Sequence, residues 1–102
     1  LGGAIEDTNQ AIRIEPKHYN ARINRALARM KKDDLDGART DLDDAVTLDP
    51  RNPNGYSVRS SLREKKGDKN GAVEDLETAL RIAPKSWPGR EKAEESLARL
   101  RK

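Results

Sequence analysis

Few side chains in this sequence could act as catalysts or metal ligands. The single histidine, His18, falls at the junction between a loop and a helix, with no cysteine or serine partner and no glutamate at a metal-site spacing. We interpret it as a solvated or helix-capping residue. Asp41, Asp43 and Asp44 resemble a cation site, but successive residues of one helix do not converge on one point. A solvated acidic face explains these aspartates better.

No other pattern in the sequence indicates catalysis or cofactor binding. The absence of cysteine excludes disulfides and thiolate metal sites, and it fits a cytosolic protein and a periplasmic one alike. No glycine-rich phosphate loop follows a strand, and no strand is predicted at all. The sequence therefore predicts a protein that is not an enzyme and needs neither a cofactor nor a metal.

Composition and charge narrow the class of protein further. The 102 residues are 33% hydrophobic and 38% charged, with no phenylalanine, yet the net charge is only +3. So low a hydrophobic content is typical of a disordered chain, but the apolar residues recur at helical spacing, which indicates folded helices. No run approaches the roughly 18 apolar residues of a membrane span, and no basic-then-apolar leader opens the chain. We expect one folded domain without a membrane segment.

A repeat sets the architecture of the chain. Pro16, Pro50 and Pro84 stand 34 residues apart, and alignment on them brings many further identities into register. Coincidence at one spacing over so many positions is implausible, so the chain is built from repeats. The matching sets are Gly3, Gly37 and Gly71; Ala4, Ala38 and Ala72; Asp7, Asp41 and Asp75; Ala11, Ala45 and Ala79; and the pairs Asn20 with Asn54, Arg25 with Arg59, and Arg29 with Arg63.

The first full repeat is predicted to form two helices. The first runs from about Tyr19 to Lys32, where apolar residues recur at helical spacing. Asp34 can cap the second by accepting hydrogen bonds from its free N–H groups. That helix ends near Leu48, because the proline two residues later cannot continue it.

The remaining segments are interpreted from this unit. The next repeat has its break at Gly67 and Asp68, and a last helix is predicted over residues 87–101, opened by Ser86 with Pro88 in its first turn. The last helix is rich in charged residues, which is typical of a capping helix with one solvent-exposed face. The single expected domain over residues 1–102 comprises a half repeat (1–16, second helix only), two full repeats (17–50 and 51–84) and a C-terminal capping helix (85–102).

A helix-turn-helix of 34 residues that ends in proline resembles the tetratricopeptide repeat. The family pattern is Trp-x2-Leu-Gly-x2-Tyr, then Ala-x3-Phe, then Pro. The resemblance covers the whole chain, although arginines replace large residues of the first helices. It implies an all-α fold of antiparallel helix-turn-helix repeats, stacked as a short right-handed α-solenoid. The matching places hold Tyr56, Arg59, Ser60, Arg63, Ala72, Leu76 and Pro84 in one unit and Arg22, Arg25, Ala26, Arg29, Ala38, Leu42 and Pro50 in the other.

The resemblance also implies a ligand surface, since in this family peptides lie on a concave face built from the first helix of each repeat. Asparagine side chains there can donate and accept hydrogen bonds to a peptide backbone. The sequence leaves open whether Ile23, Leu27 and Met30 belong to this surface or to the core. The expected concave-face residues are Asn20, Ile23, Asn24, Leu27, Met30, Lys31, Asn54, Ser57, Ser61 and Lys65.

A well-known subclass of the family resembles a clamp for the C-terminal carboxylates of chaperones. It uses Lys and Asn, then Asn, then Lys and Arg. The matching places here hold Ile23 and Leu27, then Val58, then Pro88 and Lys92. Only Lys92 fits, so the sequence does not predict such a clamp.

Charge is sorted by helix in the first full repeat. Its first helix is basic and carries no acid, whereas the part after it carries seven acids and a single arginine. We expect Arg25 and Arg59 to pair with Asp41 and Asp75 between neighbouring helices, without deciding which aspartate Arg59 meets. Nucleic acid is disfavoured as a partner, because the acidic helices nearly cancel the charge and few aromatic residues could stack on bases.

The predicted function is a protein–protein interaction scaffold with a peptide or protein partner and no nucleic-acid or membrane partner. One alternative is a self-association module, since the opening helix with Ile5 and Ile12 lacks its partner helix and a second copy could cover it. The other is a regulatory segment of a larger enzyme or sensor, because this fold serves many functions.

Overall fold

The computed structural model describes residues 18–102, and in that part of the chain the protein consists of five α-helices without a strand. The chain divides into two compact units, the first ending at Asp49 and the second spanning Pro50–Lys102. The predicted opening helix, with Ile5 and Ile12, lies outside the described residues. The helices are α1 (Tyr19–Lys31) and α2 (Leu35–Leu48) in the first unit and α3 (Pro53–Lys65), α4 (Lys69–Ile82) and α5 (Arg90–Leu100) in the second.

The last helix is shorter than the sequence predicted. It begins at Arg90, so Ser86 and Pro88 precede it instead of forming its first turn. The backbone turns at this point, with Arg90 N donating to Trp87 O at 3.2 Å. The indole of Trp87 is buried beside Gly89, where a Cβ atom would overlap the ring. The last helix therefore begins only after the residue whose indole is buried in the core.

A glycine in left-handed conformation ends α3. Gly67 has a φ of +83°, its N–H donates to Glu64 O at 3.0 Å, and Asp68 N donates to Arg63 O at 2.8 Å. These two bonds satisfy carbonyl groups that the helix end would leave unpaired. Asp68 then caps α4 by accepting from Gly71 N at 2.9 Å. The predicted break at Gly67 and Asp68 is confirmed.

The turn between α1 and α2 has the same geometry, but an aspartate takes the place of glycine. Asp33 has a φ of +66° and donates to Met30 O at 3.0 Å, while Asp34 N donates to Arg29 O at 2.8 Å. Asp34 accepts from Gly37 N at 3.0 Å, which confirms it as the cap of α2. A backbone of this hand is unfavourable for residues that carry a Cβ.

A buried aspartate holds the hairpin of α3 and α4 together. Asp75 accepts from Arg59 Nε at 3.0 Å and Arg59 NH2 at 2.8 Å, and from Arg63 NH1 at 3.1 Å. The same nitrogen of Arg63 donates to Gly71 O at 3.4 Å. Arg59 thus pairs with the aspartate of its own repeat, which the sequence had not decided.

The hairpin of α1 and α2 repeats this arrangement around Asp41, which is completely buried. Arg25 donates from Nε at 3.1 and 3.0 Å and from NH2, and Arg29 donates from NH1 at 3.1 Å. The hydrogen bond to Asp41 raises the pKa of Arg25. Because an unpaired buried carboxylate is strongly unfavourable, the two arginines are a structural requirement of the site. The predicted pairing of Arg25 with Asp41 is confirmed.

The apolar core of the second unit combines three alanines with three leucines and Trp87. The alanines let the helices approach closely, and Trp87 is the largest side chain of the cluster. Tyr56 packs against this cluster, donates its hydroxyl to Pro50 O at 3.0 Å, and lies 5.7 Å below the guanidinium of Arg59. The buried members of the cluster are Ala72, Leu76, Ala79, Trp87, Ala93, Leu97 and Leu100.

The matched turns allow a prediction on stability. Asp33→Gly should raise the free energy of unfolding by about 1 kcal/mol, because glycine adopts a left-handed backbone without the steric cost of a Cβ. Gly67→Asp, the opposite change at the equivalent position, should lower it by about the same amount. Urea denaturation followed by circular dichroism measures both. Shifts of the same sign in the two variants would contradict this account of the turns.

Candidate functional site

One side of α1 presents polar residues and a leucine to solvent. Asn20, Asn24, Leu27 and Lys31 are all exposed, and Leu27 is 41% exposed, which is a large fraction for leucine. Their spacing of four, three and four residues puts them on one side of the helix. We call these four residues the α1 face.

Ile23 and Met30, which the sequence also placed on the ligand surface, are 9% and 8% exposed. Their burial favours the core interpretation for these two residues. Leu27 belongs to the same helical pattern but remains at the surface. The apolar positions of α1 therefore divide between core and surface, which the spacing alone had left open.

The equivalent helix of the second unit presents a more polar surface. Asn54, Ser61 and Lys65 are exposed and Ser57 is half-buried. Three of these four residues occupy the repeat positions of the α1 face, and Ser61 stands where α1 has Leu27. We call the four residues the α3 face.

Asn54 also has a structural role that the sequence did not reveal. Its side-chain oxygen accepts from Trp87 Nε1 at 2.9 Å. A buried indole N–H needs an acceptor, and Asn54 supplies it from the first turn of α3. This bond ties the beginning of α3 to the segment that precedes α5.

Two exposed ion pairs hold α5 against its neighbours. Both guanidinium nitrogens of Arg99 donate to the carboxylate of Glu64 on α3, NH2 at 3.1 Å from Oε1. The hydrogen bond from Arg99 lowers the pKa of Glu64 below its usual value. Arg101 pairs with Glu77 on α4. The C-terminal end of α5 is thus bound on both sides by opposite charge.

His18 and the aspartates that resembled a cation site have structural roles in the described residues. His18 caps α1, with Nδ1 accepting from Ala21 N at 3.0 Å, so the capping interpretation is confirmed. Asp41 is not part of a solvated acidic face, because it is buried between two arginines, whereas Asp44 is exposed and pairs with Arg22 at 2.9 Å. Between residues 18 and 102, no three acidic or histidine side chains lie close enough to hold a metal ion.

The helices of this part of the chain are also too short or too polar for a bilayer. Within residues 18–102 none combines the length and the hydropathy of a membrane span.

The bond between Asn54 and the indole leads to a prediction. Asn54→Ala should lower the free energy of unfolding by about 1 kcal/mol, because it leaves a buried N–H without its acceptor. It should also shift the fluorescence of Trp87, the only tryptophan of the chain. Asn20→Ala is the control, since it makes the same change at the equivalent repeat position. Identical spectra for the two variants would contradict the assigned bond.

Comparison with known sequences identifies the repeat. A model of the tetratricopeptide repeat family matches residues 19–52 and 54–86. Both matches begin within a few residues of a predicted repeat boundary. No curated protein sequence gives a significant match.

Solved structures share the fold over nearly the whole chain. The second tetratricopeptide repeat domain of human RPAP3, in complex with the HSP70 peptide SGPTIEEVD, is 28% identical with a TM-score of 0.82, over 96% of this chain and 78% of that one. The Arabidopsis OM64 domain is 26% identical with a TM-score of 0.84, over 96% and 78%. The Yersinia enterocolitica type III secretion chaperone SycD, in complex with a peptide of the translocator YopD, is 14% identical with a TM-score of 0.85, over 98% and 82%. This last likeness concerns the fold alone.

These findings agree with the helices and the period. The expected all-α repeat fold is confirmed by helix pairs that begin again every 34 residues, from Tyr19 to Pro53 and from Leu35 to Lys69. The family match covers more than half of the chain. The chain belongs to the tetratricopeptide repeat family.

Proposed function

We propose that the protein is a protein–protein interaction module and not an enzyme. It binds a peptide or an extended segment of a partner through the residues expected on the concave face, which are the α1 face of the first unit and the α3 face of the second. The observation that carries this proposal is Leu27, an exposed leucine among asparagines and a lysine on a helix whose other apolar residues are buried. Burial of that side chain by a partner would be worth roughly 1.5–3 kcal/mol.

The chemistry of the α1 face suits an extended segment. Asn20 and Asn24 each offer a carbonyl oxygen and an amide group, which match the alternating donors and acceptors of a peptide backbone. Leu27 can contact one apolar side chain of the partner, and Lys31 can pair with a carboxylate beyond it. The segment expected on this face therefore combines one apolar residue with a neighbouring acid.

The structural neighbours support the proposal that this chain binds a peptide, but its residues do not favour the peptides that those neighbours bind. The RPAP3 domain is described with an HSP70 peptide and SycD with a YopD peptide. Of the five places of the carboxylate clamp only Lys92 holds a fitting residue, since the others are Ile23, Leu27, Val58 and Pro88, and Ile23 is buried. A chaperone tail that ends in EEVD is therefore not the expected ligand.

We further propose the domain organisation that the repeat suggests. Two full repeats span residues 17–50 and 51–84, preceded by a half repeat over 1–16 and followed by a cap over 85–102. The family match and the division of the chain after Asp49 support the border between the full repeats.

A matched pair of leucine variants tests the function. Peptides selected from a display library are bound to the wild-type chain, and affinities are measured by fluorescence anisotropy. Leu27→Arg should weaken binding more than about tenfold while the chain stays folded, because it replaces the apolar contact with a charge. Leu48→Arg changes a leucine of similar exposure, 37%, on α2 and should leave binding unchanged.

Two results would contradict this assignment. If Leu27→Arg unfolds the chain, Leu27 is a core residue. If both variants bind the selected peptides like the wild type, the partner uses another surface.

A further inference from the structure

The hydrogen bond between Trp87 and Asn54 fixes the orientation of an exposed amide. An indole N–H can only donate, so the atom of Asn54 that meets it at 2.9 Å is the side-chain oxygen. The amide nitrogen of Asn54 is therefore turned away from the indole, while the residue itself is exposed. An asparagine side chain can in general donate or accept, but here its oxygen is already engaged.

The indole is held firmly enough to impose this orientation. Trp87 is 9% exposed and belongs to the apolar core of the second unit. Its backbone N–H donates to Pro84 O at 3.0 Å, and its carbonyl accepts from Arg90 N at 3.2 Å. The backbone of Gly89 passes so close to the ring that a Cβ atom there would lie 2.6 Å from it. The ring cannot turn away from Asn54 without disturbing this packing.

The backbone of Asn54 is fixed as well. Its N–H donates at 3.0 Å to the side-chain oxygen of Asn52, which caps α3, and Pro53 and Gly55 on either side of it are buried. Within residues 18–102 no group accepts a hydrogen bond from the amide nitrogen of Asn54. Because the backbone and the amide oxygen are both held, the two N–H donors of this nitrogen are oriented before any ligand arrives, which lowers the entropy cost of binding.

The first unit has no sequence equivalent of this bond. Asn20 occupies the repeat position of Asn54, but the residue one period before Trp87 is Pro53, which has no N–H group. Of the equivalent asparagines at the beginning of α1 and α3, only Asn54 has its orientation set by a donating side chain in the described part of the chain.

We propose that Trp87 is a positioning residue of the ligand surface. It turns the amide of Asn54 so that the α3 face offers N–H donors at the beginning of the helix, and the partner docks there with a carbonyl oxygen of its backbone. This assignment rests on the proposed function and adds the polarity of one contact in the second unit. Because C=O and N–H groups alternate along an extended segment, a fixed donor selects the register in which the segment lies. A register that brings an N–H group to Asn54 is disfavoured, since two donors would face each other.

The same bond makes the indole a reporter of this contact. When the amide nitrogen of Asn54 donates to a ligand, the amide polarises and its oxygen becomes a stronger acceptor for the indole N–H. Trp87 is the only tryptophan of the chain, so its N–H gives the only indole signal in a ¹⁵N spectrum. That signal should move downfield as the ligand binds.

The test uses the full chain, labelled with ¹⁵N, and the tightest peptide from the display selection on the wild-type chain. Titration should move the indole signal of Trp87 and saturate. Asn54→Asp keeps an oxygen for the indole but replaces the donating nitrogen with a second oxygen. The variant should stay folded with its indole bonded, yet bind the peptide about tenfold more weakly or worse, because a carboxylate cannot donate to the ligand carbonyl.

Asn70→Asp is the matched control. Asn70 is exposed, is likewise the second residue of a helix in the second unit, and is likewise followed by glycine. The variant makes the same chemical change and the same change of net charge, and its affinity should equal that of the wild type. Equal weakening in both variants would overturn the inference, because charge alone would explain it. Unchanged binding in Asn54→Asp would also overturn it, because Asn54 would then have only a structural role.

Trp87→Phe separates positioning from contact. Phenylalanine keeps an aromatic ring but has no N–H, so the amide of Asn54 is free to turn and the affinity should fall by about threefold. If the folded variant binds like the wild type, Trp87 does not position Asn54 and the inference is wrong. If circular dichroism shows that the variant is unfolded, the titration of the wild type decides, because a peptide that binds without moving the indole signal also overturns the inference.

Failure of this inference is distinct from failure of the proposed function. If selected peptides depend on Leu27 while Asn54→Asp binds them like the wild type, the interaction module stands and the role of Trp87 is wrong. If they do not depend on Leu27 but respond to Asn54→Asp and move the indole signal, the assignment of the α1 face is wrong and that of Trp87 stands.

Discussion

A buried carboxylate held by two arginines is the interaction on which each helical hairpin depends. Asp41 and Asp75 lie where α2 and α4 cross the first helix of their repeat, and each accepts from two guanidinium groups. A carboxylate at this depth is tolerated only while its oxygens are satisfied. The register of the two helices is therefore fixed by charge and hydrogen-bond geometry, in a chain where arginines replace large residues of the family pattern.

The buried arginine–aspartate pairs also determine which residues face solvent on the first helix of each repeat. The arginines of the first helices turn toward the aspartates, so they do not dominate the solvent side of α1 or α3. That side is left to asparagine, serine, lysine and one leucine, which are residues suited to contact a peptide. The alanines of the core let the helices approach closely, and Trp87, Leu97 and Leu100 then dock α5. The buried arginine–aspartate pairs and the uncharged polar residues on the solvent side of the first helices thus follow from the same choice of residues.

The sequence predicted those features that repeat and missed those that occur once. The period placed the ends of α1 to α4, and the recurrence of arginine with aspartate predicted the buried pairs. The start of α5 was wrong, because it depends on where one indole must be buried. The bonds of Trp87 to Asn54 and of Arg99 to Glu64 join residues more than thirty positions apart with no second example in the chain. Helical spacing grouped Ile23 with Leu27, but only tertiary packing decides which of them is exposed.

The central claim is that a buried carboxylate and its arginines act as one unit, and a double-mutant cycle tests it most directly. Arg59→Met and Asp75→Asn, singly and together, give the coupling free energy of the buried pair from urea denaturation. The same cycle on the pair of Arg101 and Glu77, whose side chains are 53% and 49% exposed, is the reference. The account predicts a coupling of about 2–3 kcal/mol for the buried pair and less than about 1 kcal/mol for the exposed one. Equal couplings would contradict it, because the hairpins would then be held by apolar packing alone.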